Sequence, residues 1–186
     1  MIHYGLKAIF IHIPRTGGNS ISYALRGFPG KYDASAHTKH VDAAWYAKYL
    51  PREFAIYYKF SCVRNPFEKV LSHYEFKRIS QDKECVENSF AEWVRKYHKN
   101  DATGVIFKPQ VDFLSIGGEI AVDFVMRYER LEEDFAEACR RLKINVPLAH
   151  LFPTSAKRYQ DHYDGATREI VETVFRKDME AFGYGY

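Results

Sequence analysis

A chain of 186 residues is long enough to bury a sizeable core without disulfide or metal staples, and a single domain over residues 1–186 is expected. Hydrophobic residues make up 46% and aromatic ones 16%, which excludes disorder over most of the length and suits a globule with large rings inside. The 27 basic and 24 acidic residues leave a formal charge of +3, interspersed and without a polybasic block, so no nucleic-acid partner is expected.

Cys62, Cys85 and Cys139 are odd in number and have no CxxC spacing, so neither a disulfide framework nor a zinc site is indicated, and a reducing compartment is the plain reading. The opening apolar run is broken by His12, Pro14 and Arg15. It fits neither a signal-peptide core nor a membrane span of ~20 residues. A soluble, cytoplasmic protein without a membrane span is expected.

In chain order, Ala8 to Ile13 reads as a buried strand, and Ile21, Ala24 and Leu25 then fall at helical spacing before Gly27. Asp42 caps a short helix to Leu50, where Pro51 is expected to stop it. "AIYYKFSCV", residues 55 to 63, is rich in aromatic and branched residues and predicts a second central strand. Asn65 and Pro66 are a cap and first-turn pair for a helix through about Ile79. Ser89 and Glu92 form a capping box for a helix carrying Phe90, Trp93, Val94 and Tyr97. "VDFVMRY", residues 122 to 128, predicts another strand, followed by the helix "LEEDFAEACRRL". The stretch from Leu151 to His162 is polar and irregular. A last helix is predicted from about Ala166, with Ile170, Val174, Phe175 and Phe182 inward. Strands alternating with helices imply an α/β fold with a mostly parallel sheet flanked by helices. Ligands of such sheets bind beyond the carboxyl ends of the strands.

Two strand-to-helix turns fall at such ends. In the first, "PRTGGNS", residues 14 to 20, Gly17 and Gly18 remove side chains where the chain turns, and the amides of Thr16, Gly17, Gly18, Asn19 and Ser20 would point out of a helix N-terminus. An anion is stabilised there by the N–H groups and the helix dipole. Arg15 supplies a charged fork, and Thr16, Ser20 and Ser22 supply hydroxyls. Taken alone, this turn is equally well an ordinary tight corner. The triphosphate loop GxxxxGK[ST] is a poorer fit, since the charge here precedes the glycines and the Lys and its Ser/Thr neighbour are missing. In the second, "FSCVRNPFEKVLSHYEF", residues 60 to 76, Arg64 ends a strand and Ser72 lies eight residues on, so that guanidinium and hydroxyl can converge on one phosphate.

The two corners together resemble those of sulfotransferases that use 3'-phosphoadenosine 5'-phosphosulfate (PAPS), and within them the carbohydrate branch with the heparan-sulfate 2-O- and 6-O-sulfotransferases and small bacterial relatives. In that family a loop like PKTGGTS holds the 5'-phosphosulfate, and an Arg and a Ser eight residues apart hold the 3'-phosphate; here these are "PRTGGNS" and Arg64 with Ser72. The likeness continues in "FKPQVDFL", "DFVMRYERLEEDF" and "RYQDHYDGATREIVETVFRKDMEAFGY". It implies a P-loop-like sulfotransferase fold. It also implies PAPS as donor, 3'-phosphoadenosine 5'-phosphate (PAP) as product, a hydroxyl acceptor on a glycan or glycolipid, and no metal requirement. The family's loop lysine is Arg15 here, which keeps the charge but does not give up a proton.

A neutral imidazole suits proton removal from an acceptor hydroxyl near pH 7. The family often places its base in a KH segment before a short helix, which matches Lys39 and His40 and makes His40 the expected base, with His37 in reserve on the acceptor side. His12 is expected to face the core or to stand behind the site. Gln110 falls where the family carries a pocket glutamine, as a ligand for acceptor or sulfonate or as a loop amide bonding backbone. Glu129 is read as orienting a lysine or arginine or as a helix cap. Ser155, Lys157 and Arg158 resemble the late loop that closes over the nucleotide, with Tyr159 as a stacking ring. A nucleotide-binding protein without turnover and an atypical P-loop kinase are the alternatives.

Overall fold

The computed structural model describes residues 1–35, 39–99, 104–149 and 158–186. In chain order the elements are β1 (Ile2–His3), β2 (Ala8–Ile11), α1 (Gly18–Arg26), β3 (Tyr32–Asp33), α2 (Ala43–Tyr49), α3 (Pro51–Ile56), β4 (Tyr58–Val63), α4 (Pro66–Ile79), α5 (Lys83–Glu87) and α6 (Phe90–Tyr97). There follow α7 (Gln110–Leu114), β5 (Ser115–Ile116), β6 (Glu119–Ile120), β7 (Phe124–Arg127), α8 (Leu131–Leu142), α9 (Gly165–Val174) and α10 (Arg176–Phe182).

The local signals explain most of these boundaries. The Asp42 carboxylate accepts the Trp45 amide at 2.9 Å and the Asn65 side-chain Oδ1 accepts the Phe67 amide at 2.9 Å, so both expected caps are made. The Ser89–Glu92 capping box is present. Pro51 does not merely stop a helix: it stands at the first turn of α3, where its fixed φ suits a helix and its missing N–H has no intrahelical acceptor to satisfy. Ala55 and Ile56 therefore belong to α3, and the expected strand 55–63 narrows to Tyr58–Val63. The last helix is likewise two, with Phe175 as the corner between α9 and α10 and fully buried.

The principal sheet has the order β3-β1-β2-β4-β7. β2 and β4 pair in parallel with Ala8 opposite Tyr58, and β4 and β7 with Phe60 opposite Phe124. β1 pairs antiparallel with both β2 and β3. The parallel core is the predicted one. The two-residue flanking strands and the β5–β6 hairpin are additions.

The chain divides into two compact units, Met1–Arg64 with Gln110–Leu151 and Asn65–Pro109 with Phe152–Tyr186. In the first, Ala8, Phe10, Phe60, Cys62 and Met126 form one face of the sheet and pack with Ile21, Ala24 and Leu25 of α1 and Leu131, Phe135 and Ala138 of α8. Ile9, Ile11, Ser61 and Val63 on the other face are buried too, which is why these strands read as unbroken apolar runs. In the second, Phe67, Val70, Leu71 and Tyr74 of α4 gather Phe90, Trp93 and Val94 of α6 with Val171 and Phe175. Lys69 is also fully buried there, its Nζ donating to the Ile106 carbonyl at 2.6 Å and lying 4.7 Å from the Phe175 ring centre. Among the described residues no helix is long and apolar enough to cross a membrane.

Candidate active site

Parallel pairing puts the carboxyl ends of β2, β4 and β7 on one edge of the sheet, so the segments leaving them meet: residues 12–17, Arg64, and Tyr128. The first runs into the N-terminus of α1. Gly17 is the N-cap with φ +81°, a left-handed conformation that suits glycine. A Cβ there would also come within 2.7 Å of Leu131 Cδ2 and 3.3 Å of Tyr128. Arg15 takes a left-handed φ of +66° although it carries a side chain; such residues cost on the order of 1–3 kcal/mol and gather at ligand clamps.

The Thr16 hydroxyl is buried and donates to the Ile13 carbonyl at 2.9 Å, closing the turn. The Ser20 amide donates back to the Gly17 carbonyl at 3.0 Å, and the Ser22 hydroxyl pairs with that of Tyr32. Of the donors expected in this loop, those that open α1 without an intrahelical acceptor are the amides of Gly18 and Asn19, preceded by Thr16 and Gly17.

Arg64 is held from three sides. Its backbone N–H donates to Gln110 Oε1 at 2.9 Å, and its carbonyl accepts from Gln110 Nε2 at 2.8 Å. Its guanidinium donates to the Arg15 carbonyl at 3.3 Å and lies over the Tyr128 ring, 4.0 Å from the ring centre. Gln110 is fully buried, so in this structure its amide serves the Arg64 peptide, the backbone-bonding alternative of the two expected for it. Burial and the neighbouring Arg64 charge lower the pKa of Arg15. Two guanidinium groups brought together under partial burial repel, and an anion between them would relieve that repulsion.

Tyr128 was not legible as a site residue. It packs under Gly17 and under Arg64 at once, tying the loop to the cation. Tyr128→Ala is expected to weaken anion binding at this corner by about 0.5–2 kcal/mol, with Tyr128→Phe near wild type because the ring face is retained. Calorimetry with PAP reads both.

His40 lies over the start of the loop. Its Nδ1 is 3.0 Å from the His12 carbonyl oxygen, and an oxygen of that kind only accepts, so Nδ1 carries the hydrogen and Nε2 keeps the lone pair. Burial lowers the His40 pKa below 6.5, and the positive charges of Lys39 and the Met1 amino group add to this against the bond to His12. His12 is buried and lowered further, by burial first and then by His40 and Lys39. Both groups take up protons more readily in the unfolded chain than in the folded one. Stability is therefore expected to fall as pH drops below 6.5 toward their folded values, which a denaturation series across pH measures.

Gly18 faces the His12 ring so closely that a Cβ would lie 2.0 Å from its Cδ2 and 2.1 Å from its Nε2. Gly18→Ala is expected to displace the ring and cost roughly 1–3 kcal/mol as an overpacked contact, read by chemical denaturation.

Ser72 is buried in α4, and Arg158 is exposed at the start of the turn Tyr159–His162; both belong to the second unit. Tyr159 stacks on Phe67 with ring centres 5.8 Å apart. Glu129 lies in the turn Tyr128–Arg130 that precedes α8. His37, Ser155 and Lys157 lie outside the described residues. Among the described residues no group of three or more His, Cys, Asp or Glu side chains could hold a metal ion.

The carboxyl edge of the parallel sheet thus brings together the first amides of α1, the Arg15 and Arg64 guanidinium groups and the His40 imidazole. The family model described as the sulfotransferase family matches residues 3–185, and the chain belongs to that family. Its mixed α/β architecture is the one expected, and its chemistry is transfer of a sulfuryl group. Comparison with curated proteins and with solved structures gives no match.

Proposed function

We propose that the chain is a PAPS-dependent O-sulfotransferase acting on an acceptor hydroxyl of a carbohydrate. The observation that carries this reading is the joining of the two corners: the Arg64 guanidinium, fixed by Gln110 and Tyr128, bonds to the carbonyl of Arg15 in the glycine loop. The amides of Thr16 to Asn19 and the Arg15 fork hold the 5'-phosphosulfate, with Ser20 completing the turn, and Arg64 holds the 3'-phosphate; Ser72 is assigned to that phosphate by the family resemblance alone. Ser155, Lys157 and Arg158 are assigned to the nucleotide by the family resemblance alone. His37 is the reserve candidate for the acceptor side, and Gln110 contributes through Arg64. The family match spans both units, which supports one catalytic domain over residues 1–186.

In the reaction the acceptor oxygen attacks sulfur, the bond between sulfur and the bridging oxygen breaks, and its electron pair leaves with the 5'-phosphate of PAP. The acceptor proton passes to His40 Nε2, which the bond of Nδ1 to the His12 carbonyl keeps as the lone-pair nitrogen. Negative charge that gathers on the bridging oxygen and the sulfonate meets fixed amides and Arg15, so the neutralisation needs no proton from the loop and no metal. Arg15 is suited to this as a permanent charge.

Incubation with PAPS, without magnesium, and with soluble mono- and oligosaccharides tests the reading by mass spectrometry. Gain of one sulfuryl group by a sugar, with PAP released, supports it. The substitution of Arg for the family's lysine is what favours the alternative of a nucleotide-binding protein without turnover. PAP binding without transfer to any hydroxyl, in the presence of sugars, phenols and glycolipids, would establish that alternative. Absolute dependence on magnesium and a nucleoside triphosphate would point to the kinase.

A further inference from the structure

The ring of His12 does more than fill the core. It leaves β2 directly before the loop, packs against the backbone of Gly18 and lies 4.6 Å, centre to centre, from the ring of His40, the planes inclined at 53°. On its other side Phe10 stacks at 5.8 Å. Among the described residues its Nδ1 is buried without a hydrogen-bond partner, an arrangement that ordinary core packing avoids. The imidazole is thus wedged between the segment that cradles the anion and the residue that takes the proton.

We propose that the His12 ring is a positioning residue: clamped between Phe10 and Gly18, it fixes the His40 ring in the orientation that directs Nε2 toward the loop. The inference rests on the reading of His40 as the base. The His12 carbonyl selects the His40 tautomer, and the His12 ring holds His40 where that carbonyl can be reached. Charged and titratable groups that act on His40 are His12 itself, Lys39 and the Met1 amino group. Because burial is the largest cause lowering the His40 pKa, loss of the ring beside it should admit water and move that value up.

The test is imidazole nitrogen NMR of the intact chain through a pH titration, in wild type, His12→Ala and His12→Phe, with a thermal melt of each. In wild type the His40 signals should be those of one neutral tautomer with hydrogen on Nδ1, titrating below 6.5. In His12→Ala they should become those of a tautomer mixture, and the titration should move toward 6.5; in His12→Phe, which restores a ring, both should return most of the way. If His12→Ala does not fold, His12→Leu takes its place, and the same contrast with His12→Phe is expected. His40 signals unchanged in His12→Ala, or equally altered in the Leu and Phe variants, would overturn the proposal. A parallel calorimetric titration with PAP separates the two readings. Wild type that bound no PAP would overturn the donor assignment and with it the catalytic meaning of the contact, whereas unchanged His40 signals with normal PAP binding would overturn the role of His12 alone.

Discussion

Arg64→Ala is expected to weaken PAP binding by roughly 1.5–3 kcal/mol, the range for a charged hydrogen bond, and to weaken adenosine 5'-phosphate binding much less. The difference between the two ligands is the quantity that matters, because the Arg64 guanidinium also bonds to the Arg15 carbonyl and its removal loosens the loop for both. Arg64→Lys retains the charge but not the planar fork or its seat on Tyr128, and an intermediate loss is expected. Equal losses for both nucleotides in Arg64→Ala would contradict assignment of this residue to the 3'-phosphate. Gln110→Ala should mimic a weaker form of the same defect. It frees the Arg64 peptide group without touching the guanidinium, and its effect should disappear in an Arg64→Ala background.

His40→Ala is expected to lower turnover by ~100-fold or more while leaving PAP affinity close to wild type. In the wild-type enzyme the rate should fall as pH falls through the His40 pKa, since only the neutral ring accepts the acceptor proton. That limb should lie below 6.5, because burial and the neighbouring positive charges hold the group on the neutral side. Near neutral pH His40 is then already in its working form. The acid limb should vanish in the variant. Turnover that survived the substitution, with its acid limb intact, would move the base elsewhere, and His37 is the next candidate.

The parts of this site that the sequence announces are those set by neighbours in the chain. The two strand-turn-helix corners were readable because a buried strand, a proline or glycine pair and a capped helix each leave a local mark, as "FIHIPRTGG" and "SCVRNPFEK" do. What escaped was set by contacts between distant segments. Tyr128 is one aromatic among 28 tyrosines and phenylalanines, and only parallel pairing of β4 with β7 puts it beneath Arg64 and Gly17. The bond between His40 and the His12 carbonyl spans 28 residues, so nothing near either position could have shown which His40 nitrogen holds the lone pair. The sequence marks Gln110, but whether its amide turns to a ligand or to backbone depends on the fold, which brings it 46 residues back to Arg64. Pro51 shows the opposite limit: one residue ends α2 and begins α3, and the sequence marks the break but not the resumption. The flanking strands β1 and β3, of two residues each, are too short to carry an alternating pattern.

The most direct measurement is calorimetric titration of the purified protein with PAP and, in parallel, with adenosine 5'-phosphate, both without magnesium. The expected result is tight binding of PAP and weak binding of the nucleotide that lacks the 3'-phosphate, because the loop and Arg64 each hold one anionic group. Failure of PAP to bind, or equal affinity for the two nucleotides, would contradict the assignment of these corners to the sulfuryl donor.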